Sequence, residues 1–225
     1  MNFKEILSKI EINIQGEAHL DELAKKKQDP FKILISTILS ARTRDSNTRN
    51  ATERLFAKYN TPQLIAEAPI DELEELVKVS GFYKIKAARI KEVSKILCDG
   101  YNSEVPTDFE ELINLPGVGA KTANCVLVYA FKIPAIPVDV HVHRISNRLS
   151  WVQTKNPEQT EQALKEIIPK ELWINLNRLL VRFGQQICLP IHPKCDSCPI
   201  GDLCPKDFTM EIAKKKKKKR KNKSG

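Results

Sequence analysis

Leu115-Pro116-Gly117-Val118-Gly119-Ala120-Lys121-Thr122-Ala123 lies between two apolar helical runs, Phe109 to Leu115 and Ala123 to Phe131. Pro116 stops the first run, because proline offers no amide hydrogen and restricts the residue before it. Gly117 and Gly119 accept backbone angles closed to other residues and let another backbone come close. The stretch therefore predicts a tight turn that feeds directly into a helix N-terminus. Outward-pointing amides backed by the positive end of a helix dipole suit a phosphate. Lys121 follows two residues after the turn. Taken alone, the turn reads equally well as a helix–turn–helix corner carrying a solvated lysine.

Working outward, 225 residues suffice for one large domain or two small ones with a real core. No run of 18 apolar residues exists, so no membrane span is expected. The first 20 residues lack a signal-peptide core, which predicts an intracellular, soluble protein. The net charge of +9 is unevenly held. Nine of the 37 basic residues lie between Lys214 and Lys223, which leaves the rest of the chain with 28 basic and 28 acidic residues. That tail, 214–225, is expected to be disordered and to add salt-sensitive, sequence-independent affinity for nucleic acid. As a polycationic run it reads equally as a solubilising or targeting segment.

Apolar residues recur mostly at three and four positions, and few segments alternate with period two, so the fold class expected is all-α. Phe3 to Ile14 is weakly amphipathic, and Asp29-Pro30 is a helix start followed by the buried run Phe31 to Leu39. Ser40 to Thr48 is a polar loop that includes Arg42. Helices are expected over Asp45 to Tyr59, Pro62 to Glu67, Ile70 to Val77 and Lys84 to Asp99. Between the last two, Ser80-Gly81-Phe82-Tyr83 interrupts the pattern. Lys84, Lys86 and Arg89 read as phosphate contacts or as a solvated face. Asp139 is placed to cap a helix running to about Trp151. Further helices are expected at Pro157 to Ile168 and Glu171 to Ile187. Four of the six cysteines cluster as Cys188-x6-Cys195-x2-Cys198-x5-Cys204. In an intracellular protein such a set reads as a metal centre, and its residues alone leave zinc and an iron–sulfur cluster open.

Three separated stretches resemble the endonuclease III family of helix–hairpin–helix DNA glycosylases. They are LPGVGAKTA, the segment Val138-Asp139-Val140-His141-Val142-His143-Arg144, and the four-cysteine loop. The resemblance implies two helical domains flanking a DNA cleft. One is a six-helix globule over 21–132; the other joins 1–20 to 133–213 and carries a [4Fe–4S] cluster on Cys188, Cys195, Cys198 and Cys204. It implies a monomer acting on double-stranded DNA with damaged bases or abasic sites, located in the cytoplasm or nucleoid of a prokaryote or the nucleus of a eukaryote. Lys121 becomes the nucleophile that attacks the sugar C1′, its ammonium disfavoured by burial and by the helix terminus. Asp139 becomes the group that stabilises positive charge and moves protons. Gly117, Val118, Gly119, His141 and Lys194 become DNA contacts. Phe82 falls where the family inserts an apolar wedge, and Arg42 stands where many members carry glutamine. Oxidised pyrimidines such as thymine glycol are the implied substrates, followed by cleavage 3′ of the abasic site. Within the superfamily, Lys121 sets the chain apart from the mismatch adenine branch, and the cysteine loop sets it apart from the 8-oxoguanine branch. A non-catalytic hairpin protein would leave Lys121 and Asp139 idle.

Overall fold

The computed structural model describes residues 2–16, 19–25 and 29–209. The basic tail 214–225 lies outside the described residues. Twelve α-helices and one 3-10 turn make up the regular structure among the described residues, with no strand. No helix there is long and apolar enough to cross a membrane.

The chain forms two compact units: Gly16–Pro137, and the residues that precede and follow it. The first unit carries α2 (His19–Lys25), α3 (Pro30–Ser40), α4 (Asp45–Lys58), α5 (Pro62–Glu67), α6 (Ile70–Val77), α7 (Tyr83–Gly100), α8 (Phe109–Ile113) and α9 (Ala120–Phe131). Its centre is the pairing of α3 with α9. Asp29 accepts the Phe31 amide at 2.8 Å and Pro30 opens α3, which fixes where that helix begins. From Ile33 to Leu39 every residue of α3 is buried, and so is every residue of α9 from Ala123 to Tyr129. Helices apolar on all sides have to be surrounded, and α2, α4 and α7 pack against α3 while α5 and α6 pack against α7. Eight helices thus fall within this unit among the described residues. Short α2 holds too few turns for its periodicity to mark it in the sequence, whereas α8 falls within the expected run Phe109 to Leu115.

The second unit carries α1 (Phe3–Asn13), α10 (Val140–Arg148), α11 (Pro157–Ile167), the 3-10 turn Lys170–Leu172 and α12 (Trp173–Gln186). Here α12 is the hub, packed by α1 and α10. Phe3 meets Trp151 edge to face, with ring centroids 5.1 Å apart. Helix α10 stops at Arg148, short of the expected Trp151, because the chain turns through a left-handed Ser150 at φ 52°.

Candidate nucleic-acid interface

The glycine turn joins α8 to α9. The Val118 amide donates to the Leu115 carbonyl at 3.0 Å, which closes the turn. Gly117 and Gly119 are exposed, whereas the Val118 side chain is buried and anchors the turn in the core. With its side chain buried and its amide engaged, Val118 shapes the turn that holds Gly119 outward. The two glycines differ in kind. Gly117 has φ 77°, and a Cβ there would come within 2.5 Å of Arg89 Cδ. Gly119 has an extended backbone (φ −97°, ψ 178°), and a Cβ on it would meet open space. As the N-cap of α9, Gly119 provides no side-chain acceptor, so no cap stands between the helix terminus and an approaching anion. Lys121 is half-buried in the first turn of α9.

A second surface of the same unit joins the loop after α3 to the turn before α7. Arg42 (φ 52°) and Phe82 (φ 58°) both hold left-handed backbones. That conformation costs a residue with a Cβ roughly 1–2 kcal/mol, and such strain gathers at functional loops. The Arg42 guanidinium carbon lies 5.8 Å from the Phe82 ring centroid, and the Phe82 ring is 60% exposed. Lys84 and Arg89 are exposed on α7. Lys86 is neither a solvated lysine nor a phosphate contact. It is 3% exposed, and its Nζ donates to the Leu39 carbonyl at 2.7 Å and the Thr43 hydroxyl at 2.6 Å.

In the second unit, Asp139 caps α10. Its Oδ1 accepts the His141 amide at 2.8 Å and the Val142 amide at 2.9 Å. Both bonds fall on one oxygen, and Oδ2 accepts none among the described residues. One half-buried side chain therefore caps the helix through Oδ1 alone. His141 is half-buried, and Arg144 Nη2 lies 3.2 Å from its Nδ1. Burial pulls its pKa down, Asp139 opposes that and Arg144 adds to it, which favours a neutral ring. A Cβ on Gly184 of α12 would come within 2.5 Å of His141 Nδ1, so glycine permits α10 and α12 to meet here. His143 is buried against Thr160 at 2.7 Å, inside the unit.

Cys188, Cys195, Cys198 and Cys204 line one cavity of about 30 Å³ together with apolar side chains that include Ile145 of α10, Leu149 just after it and Phe183 of α12. Helix α10 holds the rim of this loop. Arg148, 3% exposed, donates to Cys188 Sγ at 3.3 Å, the Leu189 carbonyl at 2.7 Å and the Pro190 carbonyl at 3.1 Å. Arg144 donates to the Cys188 carbonyl at 2.8 Å. Burial above all, with the neighbouring cysteines adding, pushes the Cys198 and Cys204 thiols up. Among the described residues, no group of three or more His, Cys, Asp or Glu side chains is placed to hold a metal ion. Lys194 lies exposed beside Cys195. Sequence reasoning missed Thr43, Arg148 and the burial of Lys86, since nothing in their local pattern separates them from surface polar residues.

The sequence matches the HhH-GPD superfamily of base excision DNA repair proteins over residues 35–170. Endonuclease III of Thermotoga maritima is 53% identical over 179 residues, 80% of this chain and 84% of that protein. Chloroplastic endonuclease III homolog 2 of Arabidopsis thaliana is 42% identical over 207 residues, 88% of this chain but 54% of the longer relative, so the chain spans about half its length. A solved endonuclease III–DNA complex, a trapped covalent intermediate with an estranged adenine, has a TM-score of 0.81 at 38% identity. The match covers 91% of this chain and 95% of that one.

The two glycines are separable by experiment. Gly119→Ala keeps an allowed backbone and is expected to fold normally while weakening binding to damaged and undamaged duplex alike. Gly117→Ala forces alanine into the left-handed region and is expected to lose roughly 1–2 kcal/mol of stability as well. Denaturant midpoints measured beside duplex affinity check both; full affinity in folded Gly119→Ala would contradict phosphate binding at this turn.

Proposed function

From the premise that the chain belongs to the endonuclease III family, within the HhH-GPD superfamily of base excision DNA repair proteins, we propose the following roles for its own residues. The protein is a DNA glycosylase and abasic-site lyase. Its substrates are oxidised pyrimidines in duplex DNA. The observation that carries the reading is Lys121 in the first turn of α9, directly after a glycine turn whose helix start has no side-chain cap.

A base stacked in duplex DNA has to be turned out before its sugar is reached. Arg42 and Phe82 contact the opened duplex, Phe82 as the apolar wedge that offsets lost stacking. Gly117 and Gly119 admit a phosphate to the start of α9, where amides and dipole favour it. The unprotonated Lys121 amine attacks C1′. The C1′–N bond breaks, and the base leaves with that electron pair and gains a proton. Nitrogen loses its proton, the sugar ring opens, and an iminium forms between Nζ and C1′. The iminium acidifies C2′; loss of that proton expels the 3′ phosphate, and water releases Lys121. Asp139 stabilises the positive charge on the sugar and relays protons through Oδ2, while Oδ1 remains occupied by the α10 amides. His141 is a neutral neighbour of that carboxylate and borders the DNA.

Cys188, Cys195, Cys198 and Cys204 would hold a [4Fe–4S] cluster. All four thiols line one cavity, which fits a group held by four cysteine sulfurs. When bound, the cluster ties four points of the 188–204 loop together and fixes the loop that presents Lys194 to phosphate. Its positive charge also offsets the clustering of thiolates.

Lys121→Gln is expected to retain lesion binding and to lose both base release and strand cleavage; normal cutting by the folded variant would remove Lys121 from the mechanism. Asp139→Asn preserves an acceptor for the α10 amides, since asparagine and aspartate cap about equally well. It is expected to slow single-turnover base release by at least about tenfold with a stability change below about 0.5 kcal/mol. A variant that loses stability but keeps its rate per folded molecule would make Asp139 a cap alone. Purified protein is expected to be yellow-brown with about four irons per chain; a colourless protein with one zinc would reject the cluster.

A further inference from the structure

Two loops reach the surface around Arg42 and Phe82, and between them lies a hydroxyl with all its hydrogen-bonding capacity used. Thr43 Oγ1 accepts from Lys86 Nζ at 2.6 Å and from the Gly81 amide at 3.2 Å, and donates to the Ala41 carbonyl at 3.3 Å. A hydroxyl has two lone pairs and one hydrogen, so this group is saturated. Its partners flank Arg42 on one side and Phe82 on the other. The loops also touch directly, since a Cβ on Gly81 would lie 3.2 Å from the Arg42 carbonyl oxygen.

Behind the hydroxyl sits Lys86, on α7 one turn after Phe82. Its second bond is to the Leu39 carbonyl, in the last turn of α3, where carbonyls lack partners within the helix and the dipole is negative. Lys86 thus ties the end of α3, the Arg42 loop and the start of α7 at one nitrogen. Burial lowers its pKa only to about 8, so near neutral pH the ammonium predominates and donates to both acceptors. Exposed lysines are common and flexible; one 3% exposed with its nitrogen committed to backbone and hydroxyl is a structural choice with a cost.

We propose that buried Lys86 and half-buried Thr43 form a clasp that positions Arg42 and Phe82 for duplex opening, so that the clasp residues govern how readily a paired lesion is turned out without themselves touching DNA. The proposal rests on the reading that Arg42 and Phe82 engage the opened duplex. It assigns the left-handed backbones of both residues to one cause, because two loops tied at a shared hydroxyl leave little room to relax.

The test compares base release from a thymine glycol in paired duplex with release from the same lesion in an unpaired bubble, both in single turnover. Thr43→Val keeps the shape and removes the hydroxyl; it is expected to slow the paired substrate roughly tenfold or more, while the bubble, which needs no opening, is cut at close to the normal rate. Thr43→Ser restores the hydroxyl and is expected to restore the paired rate. Lys86→Met should resemble Thr43→Val, and the double variant should be no slower than either alone. Should Lys86→Met fail to fold, the valine and serine pair still decides the matter. Equal slowing of both substrates by Thr43→Val, or no slowing of either, overturns the clasp. Arg42→Ala and Phe82→Ala, run alongside, isolate the underlying reading. If they leave the paired rate intact, the wedge assignment fails and the proposal with it. If they slow it while Thr43→Val does not, only the clasp fails.

Discussion

The first amides of a helix need an acceptor, and this chain meets that constraint in two ways. At α1, α3, α5, α8, α10 and α11 a side chain supplies it: Asn2, Asp29, Thr61, Asp108, Asp139 and Asn156. At α4, α7 and α9, the helices that follow the Arg42 loop, the Phe82 turn and the glycine turn, no side chain does. Helices α6 and α12 share that lack without a candidate site at their starts, so an open terminus is not by itself a signature. It becomes useful where the approach is clear. Around Gly119 it is, because a side chain there would meet nothing.

Asp139 caps α10 in a way compatible with the chemical role proposed for it. A carboxylate has two oxygens, and the cap needs only one. Had Oδ1 taken one amide and Oδ2 the other, chemistry at Asp139 would have cost the start of α10. As built, Oδ2 can interact with a positive centre while Oδ1 holds the helix. The same helix organises its far end differently. Arg144 and Arg148 turn their guanidinium groups onto backbone carbonyls of the cysteine loop, where several donors in a fixed fork hold the loop at several points. A substitution in α10 therefore has consequences at both ends.

The surface of the Gly16–Pro137 unit relies on buried supports. Val118 plugs the core beneath the glycine turn, and Lys86 reaches α3 beneath the Arg42 and Phe82 loops. In both places the exposed groups are small or strained, and a buried residue lies beneath them. The arrangement follows from a shared problem: a loop that must present one geometry cannot derive its rigidity from contacts made only after the partner arrives.

The sequence by itself determined a good deal. Proline and two glycines between apolar runs define the hairpin, Asp-Pro starts α3, Asp139 starts α10, and the cysteine spacing marks out one loop. These signals are local: each is written within a few residues, and periodicity or capping chemistry reads it directly. Tertiary structure decided the rest. Nothing within Phe82-Tyr83-Lys84-Ile85-Lys86 distinguishes Lys84, which is exposed, from Lys86, which is buried. The difference arises because α3, more than 40 residues earlier in the chain, ends where the Lys86 nitrogen reaches. Gly117 and Gly119 look alike in sequence, yet one needs a left-handed backbone and the other needs only the absence of an obstacle. Contacts between distant residues leave no period and no spacing in the chain, so their roles exist only once the helices have packed.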